Sequence, residues 1–346
     1  MKHIRYKNLL TFSKKILINE GLNNFSSNSV SEALCLASLR GVDSHGINLL
    51  THYVNSAKYG RKNKNPNFKF NLVFPSFGVL DADNGFGIAA GYKAINYGIK
   101  IAKKNGISAV AVKNSSHCGS LASIALNAAK KDFIVFAFTH ADSLLLSFNG
   151  KKPYFGTNPI CFAAPRIESE PYCLDMSSSK ISWNKLLNYK NNKKILPKNT
   201  AADKNGKITI NPNLAASLYP IGDYKGFGIA SMVEILCGIF NGMKFGTSMI
   251  PMYNTNLNKS RNLGQFYILM KPNAVIPKNQ FKKYLQKMSN EVRKQPAKGA
   301  KKVMMPNDKE IKTSKIRLKN GIPINKLLKD QLDNLSSDYK VKINYI

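Results

Sequence analysis

Gly85-Phe86-Gly87-Ile88-Ala89-Ala90-Gly91 decides the fold class, because it stands where a dinucleotide-binding loop would stand and lacks that loop's spacing. A Rossmann fingerprint sets G-x-G-x-x-G between a strand and a helix, with an acidic residue about 20 positions on for the ribose. Here the third glycine comes late and no acidic residue follows at that distance. Outward from this segment, short apolar runs alternate with helical ones. Val79-Leu80, Ser108 to Val112, Phe133 to Phe138 and Tyr172-Cys173-Leu174 read as strands; Ala89 to Lys104, Ser120 to Lys131 and Phe227 to Phe240 read as helices. The expectation is an α/β chain with a mixed sheet core that is not a Rossmann fold.

The two ends of the chain read as helical. Leu9, Leu10, Phe12, Ile16 and Leu17, then Val30, Ala33, Leu34, Leu36, Ala37 and Leu39, recur at helical spacing. Ser26 to Ser29 separates the two helices, and Ser29 with Glu32 fits a capping box opening the second. A third helix is expected after His45, carrying Leu49, Leu50, Tyr53 and Ala57 and ending near Gly60, with His45 at its N-terminus. Near the other end, Phe281, Tyr284, Leu285, Met288 and Val292 define an amphipathic helix, and Ile322 to Leu335 reads as a last helix returning to the N-terminal ones. The domain expectation is a helical unit of residues 1–72 plus 312–346 and an α/β cofactor- and substrate-binding unit of residues 73–311. Asn188 to Asn213, rich in lysine and asparagine and broken by Pro197, Gly206 and Pro212, reads as a mobile loop near the active site.

Composition narrows the class. The chain has 346 residues, 43% of them hydrophobic, which suffices for a large core. No apolar run approaches the ~20 residues of a membrane span, and Met1-Lys2-His3-Ile4-Arg5 does not lead into a signal sequence, so a cytoplasmic protein is expected. Cys35, Cys118, Cys161, Cys173 and Cys237 are odd in number and without CxxC spacing, which predicts neither disulfides nor a metal site. A net charge of +33 raises nucleic-acid binding, yet only seven of the 52 basic residues are arginine. Guanidinium reads bases best, and the lysines are spread along the whole chain, so a solvated basic surface that draws anionic ligands is the favoured reading.

Candidate chemistry centres on two of the five histidines. Each lies in a turn of small and polar residues, Asp43-Ser44-His45-Gly46 and Asn114-Ser115-Ser116-His117-Cys118-Gly119. Imidazole is the side chain best suited to proton exchange near neutral pH. Further along come Phe155-Gly156-Thr157-Asn158-Pro159, Leu174-Asp175-Met176-Ser177-Ser178-Ser179, Tyr224-Lys225-Gly226-Phe227-Gly228 and Arg261-Asn262-Leu263-Gly264. In order and spacing these six motifs resemble the malate/L-lactate dehydrogenase family, which includes sulfolactate, ureidoglycolate and diketogulonate oxidoreductases. The likeness runs from about residue 30 to about residue 330.

The resemblance implies a non-Rossmann nicotinamide-binding fold, a homodimer, and NAD or NADP as cofactor. It implies hydride transfer between a 2-hydroxy acid and a 2-oxo acid, with His117 as acid/base. Ser44 and His45 would hold the substrate carboxylate or orient His117, with Tyr53 in the same pocket and Asp142 near the substrate. Gly156, Thr157 and Asn158 together with Asp175, Met176, Ser177 and Ser178 suit phosphates or ribose. Lys225 and Gly226 precede a helix, so a cation and a helix N-terminus would face a pyrophosphate. Pro306, Asn307 and Asp308 add a backbone contact.

One departure concerns Leu49, where many relatives carry an arginine able to clamp an acidic substrate; this predicts a substrate with an uncharged tail. Gln265, where histidine is frequent, is a smaller departure. Two other functions fit the residues: an imine reductase on the same scaffold, and a non-catalytic basic protein associated with nucleic acid.

Overall fold

The computed structural model describes residues 2–167 and 170–346; Met1, part of the N-terminal reading above, lies outside them. Among these residues the helices, numbered in chain order, are α1 Tyr6–Asn19, α2 Asn24–Leu39, α3 Leu50–Lys58, α4 Gly87–Asn105 and α5 Leu121–Ala129. They continue with α6 Trp183–Asn191, α7 Tyr224–Glu234, α8 Lys278–Arg293, α9 Asp308–Asn320 and α10 Lys326–Tyr339.

The core sheet has seven strands in the order Lys69–Phe74, Phe77–Asp81, Ile107–Ser115, Leu263–Met270, Ile134–Thr139, Ile160–Ala164 and Tyr172–Met176. Only Phe77–Asp81 and Ile107–Ser115 pair in parallel; every other neighbouring pair is antiparallel. A parallel pair needs a crossover, and α4 supplies it. The sheet is therefore mixed, as expected, and Gly85–Gly91 opens the crossover helix. Its glycines serve close packing. A Cβ on Gly87 would lie 1.9 Å from the Ser116 carbonyl oxygen, and one on Gly91 would lie 2.5 Å from Ile124 and 2.6 Å from the Tyr267 hydroxyl.

The helical layer packs α1, α2, α3 and α10 around Leu9, Phe12, Ile16, Leu34, Leu50 and Leu332. The chain breaks between α1 and α2 earlier than Ser26–Ser29. Asn23 caps α2 by accepting from the Ser26 N–H at 2.8 Å, so Ser29 and Glu32 lie inside the helix. His45 does not open α3. It ends a short turn, Asp43–His45, and α3 begins five residues later at Leu50. Gly46 explains the gap, because it lies against α2 where a Cβ would come 2.2 Å from Ser38 Oγ, and that hydroxyl accepts from Ile47 N–H at 2.8 Å.

Two further readings change. Ile322–Ile324 is a strand, paired antiparallel with Lys2–Ile4, and α10 starts only after the Asn325 cap. It does return to pack on α1. Residues 188–213 are not one loop: they hold the end of α6 and the strands Ala201–Ala202 and Ile208–Thr209 of a five-stranded sheet. Ile181, Leu186, Leu196, Ala201 and Leu218 give that region its own apolar centre. The expected domain boundary at 72 falls inside the Lys69–Phe74 strand, and the one at 312 falls inside α9. Among the described residues no helix is long and apolar enough to cross a membrane.

Candidate active site

The strand Ile107–Ser115 delivers the chain to the turn that carries His117, and the sequence around Gly85 fixes that turn. Ser116 Oγ accepts from Gly87 N–H at 2.8 Å and donates to the Gly85 carbonyl at 2.9 Å. From α3, the fully buried Tyr53 places its hydroxyl 2.7 Å from His117 Nδ1 and 3.4 Å from the His117 carbonyl oxygen. Burial raises the Tyr53 phenol far above its ordinary range, so it stays protonated. It can then donate to the carbonyl while accepting from Nδ1–H, which leaves Nε2 as the ring nitrogen free to exchange a proton.

His45 lies against His117, the ring centroids 5.7 Å apart and the planes 24° from parallel, and its Nδ1 is 2.9 Å from Ser44 Oγ. Burial pushes the His117 imidazole well below its ordinary value, reinforced by charge on His45, Arg261, Lys62 and His52. Burial lowers His45 as well, opposed by Asp175. Asp175, next to last in the strand Tyr172–Met176, lines the cavity and accepts from Ser120 Oγ and Ala122 N–H, each at 2.8 Å. Although it is open to the cavity, the protein packed around it raises its carboxyl above the ordinary range despite those bonds.

These groups open onto a cavity of about 630 Å³, within the usual size of a small-molecule site. Of the residues singled out from sequence, Ser44, His45, His117, Asp142, Thr157, Asp175, Met176, Ser177, Pro306 and Asn307 line it. Tyr53 stands behind His117. Asp142 is engaged by the protein itself: it pairs with Arg261 and accepts from Met252 N–H at 2.7 Å.

The remaining candidates lie behind the cavity wall or outside it. Asn158 is fully buried, accepting from Ala141 N–H at 3.0 Å and donating to the Ala230 carbonyl at 2.8 Å and to Glu234 at 2.7 Å. Gly156 admits no side chain, since a Cβ would lie 2.1 Å from the Ala141 carbonyl oxygen; at Gly226 the Ile221 carbonyl oxygen would be 2.3 Å away. Ser178 is buried and donates to the Thr157 carbonyl at 2.8 Å. Asp308 pairs with Arg293 at 2.7 Å. Lys225 is inside the first turn of α7, exposed, rather than ahead of the helix, because α7 begins at Tyr224 and runs on into a wider turn at Ile235–Ile239. Leu49 is packed in the helical core and is not among the residues that line the cavity. Gln265 is buried too, donating to Ser115 Oγ at 2.8 Å and to the Gly87 carbonyl at 3.0 Å.

Three cavity groups gained no role from the sequence. Arg40 and Arg261 line the cavity, each almost wholly buried, and Asn184 donates to the Ser44 carbonyl at 2.8 Å. The rarity of arginine in so lysine-rich a chain was the available signal. The buried Lys62 also escaped notice. Among the described residues no carboxylate pairs with it, and its Nζ lies 6.0 Å from the Tyr53 ring centre and 5.6 Å from that of Phe86.

Residues 4–333 match the family described as malate/L-lactate dehydrogenase. The chain belongs to this family. It is 32% identical over 331 residues to ureidoglycolate dehydrogenase (NAD(+)) of Escherichia coli K12, covering 94% of each chain. It is 34% identical over 347 residues to a malate dehydrogenase of Pyrococcus abyssi, covering 96% of this chain and 94% of that one. The crystal structure of malate dehydrogenase from Entamoeba histolytica superposes with a TM-score of 0.93 at 27% identity, over 99% of both chains. As a member of the malate/L-lactate dehydrogenase family, the chain shares its α/β architecture from end to end.

Proposed function

We propose that this protein is an NAD(P)-dependent oxidoreductase that interconverts a 2-hydroxy acid and its 2-oxo acid. The observation that carries the reading is the Tyr53–His117 hydrogen bond at the wall of the cavity, with His45 stacked beside it. His117 Nε2 takes the substrate hydroxyl proton in one direction and returns it to the carbonyl oxygen in the other. Tyr53 fixes the ring by accepting a hydrogen bond from Nδ1–H, which stays on the imidazole. The Ser44 hydroxyl can donate to His45 Nδ1, which leaves a His45 Nε2–H to bind the substrate carboxylate.

The cavity suits a nicotinamide cofactor beside Thr157, Met176, Ser177, Pro306 and Asn307, which line it and offer small polar groups and backbone. When bound, the nicotinamide ring supplies or accepts the hydride. Asp175 offers an acceptor for an amide or hydroxyl, and the exposed Lys225 is free to meet a phosphate at the surface. Gly156, Asn158, Ser178, Gly226 and Asp308 act by shaping this region.

Two copies are proposed to associate. Along α7 and the turn after it, Met232, Ile235, Ile239 and Phe240 are 42%, 53%, 55% and 58% exposed, at the spacing of one helix face. So much contiguous apolar surface marks a protein interface. The five cysteines are buried and unpaired, which fits the reducing cytoplasm.

A fluorescence titration with NADH and with NADPH, followed by a panel of 2-oxo acids bearing neutral and carboxylate tails, tests the assignment. Cofactor binding with turnover of at least one oxo acid is expected. Salt-dependent DNA binding without cofactor binding would replace this reading with the nucleic-acid one.

A further inference from the structure

Arg61 follows α3, the helix that carries Tyr53, and is 1% exposed, among the largest fully buried side chains. Among the described residues no carboxylate pairs with it. Its guanidinium is turned instead on one distant stretch of backbone, donating to the carbonyls of Met252 at 3.0 Å, Asn256 at 2.7 Å and, at the limit of hydrogen bonding, Pro251 at 3.4 Å. Pro251, Met252, Tyr253 and Asn254 of that stretch line the active-site cavity. The start of the stretch has further ties, since Arg261 Nε donates to the Ile250 carbonyl at 2.8 Å and Met252 N–H to Asp142. At its own end, Arg61 is anchored by Asn84 Nδ2, which donates to the Arg61 carbonyl at 2.9 Å.

This stretch has no regular secondary structure of its own between Met249 and Leu263, so its carbonyls find no ladder partners. A buried carbonyl without a donor is unfavourable, and a planar fork with several N–H groups can serve acceptors spread over six residues, which an ammonium on one point cannot. We infer that Arg61 is a positioning residue of the substrate pocket, fixing the Pro251–Asn256 wall relative to the Tyr53–His117 pair. This rests on the functional reading above. One guanidinium thereby ties the element that orients the proton-transfer group to a wall of the cavity, and sets the width between them.

The test compares the parent with Arg61→Met and Arg61→Lys at saturating cofactor. In Arg61→Met the KM for the best 2-oxo acid of the panel should rise about tenfold, the loss expected when charge-assisted bonds of this kind are removed. The kcat should fall much less, and the cofactor Kd should stay put. Hydrogen exchange at the amides of residues 252–256 should quicken while the sheet strands keep their protection. Arg61→Lys keeps the charge without the fork and should fall between the two; if the methionine variant does not fold, the lysine variant carries the same comparison. Unchanged KM in a folded variant overturns the proposal, as does a parallel loss of KM, kcat, cofactor binding and sheet protection, which would make Arg61 a general structural residue. A parent inert on every oxo acid overturns the functional reading instead, and the exchange comparison then decides by itself whether Arg61 fixes the wall.

Discussion

His117 and Asn158 both sit in short polar turns beside small residues, and both are held by hydrogen bonds, but the bonds run differently. Tyr53 engages one nitrogen of the His117 ring and leaves the other to the cavity. Asn158 spends both ends of its amide on Ala141, Ala230 and Glu234 and has nothing left for a ligand. A side chain with spare hydrogen-bonding capacity at a cavity wall can do chemistry; one whose capacity is consumed in the interior sets the shape of that wall. Asp142 and Asp175 both line the cavity, but Asp142 spends both carboxylate oxygens on Arg261 and Met252, whereas Ser120 and Ala122 both bond Asp175 through Oδ2 and leave its Oδ1 unused among the described residues.

The sharpest way to break this comparison is His117→Ala. Turnover should fall ~100-fold or more with cofactor affinity nearly intact, since proton transfer is removed and the cofactor wall is not. Turnover at the parent rate would leave His117 without its role. Substitution of Asn158 by alanine should behave in the opposite way. Losing a fully engaged buried amide should cost about 2–4 kcal/mol of folding stability, readable as a lower urea midpoint. Weaker cofactor binding at unchanged stability would mean that Asn158 touches the ligand after all.

The pH dependence sharpens the same point. The folded His117 and His45 imidazoles lie below their ordinary values because burial disfavours the cation. An unfolded chain takes up these protons from about pH 6.5 downward, whereas the folded one resists. The contribution to stability is thus fully present above that pH and is lost as pH falls toward the depressed folded values. Oxidation of a hydroxy acid, which needs neutral His117, should persist below pH 6.5 in the folded enzyme. An acid limb of kcat/KM above that pH would contradict the burial argument. The smallest effect is expected at Lys225: its change to alanine should raise the cofactor Kd roughly tenfold, about 1.4 kcal/mol for one charge-assisted contact. Unchanged binding in a titration would leave it an ordinary surface lysine.

What was legible in the chain follows from what is local. The strands around Val110 and Phe136 and the helix after Gly87 declare themselves by periodicity, because their apolar faces repeat at the spacing of the element. The turn at Ser116–Gly119 and the stretch at Asp175–Ser177 announced a site through their polar, small-residue composition. Local pattern misplaced the ends of elements, at Asn23, Leu50 and Ile322, where a cap, a glycine packed on another helix, or pairing with Lys2–Ile4 decided the matter.

Sequence by itself thus determined a mixed α/β chain, excluded the Rossmann loop at Gly85–Gly91, and named a set of candidates of which only part line the cavity. It could not say which of them face that cavity. Thr157 and Asn158 are neighbours in one motif, yet backbone geometry at the turn sends one to the cavity and the other into the interior. Nor could it show that Tyr53 meets His117 from 64 residues away, or that Arg61 grips carbonyls 190 to 195 residues further on. Those contacts belong to the tertiary structure, because a hydrogen bond between distant residues depends on how separate elements pack, and no spacing along the chain records it.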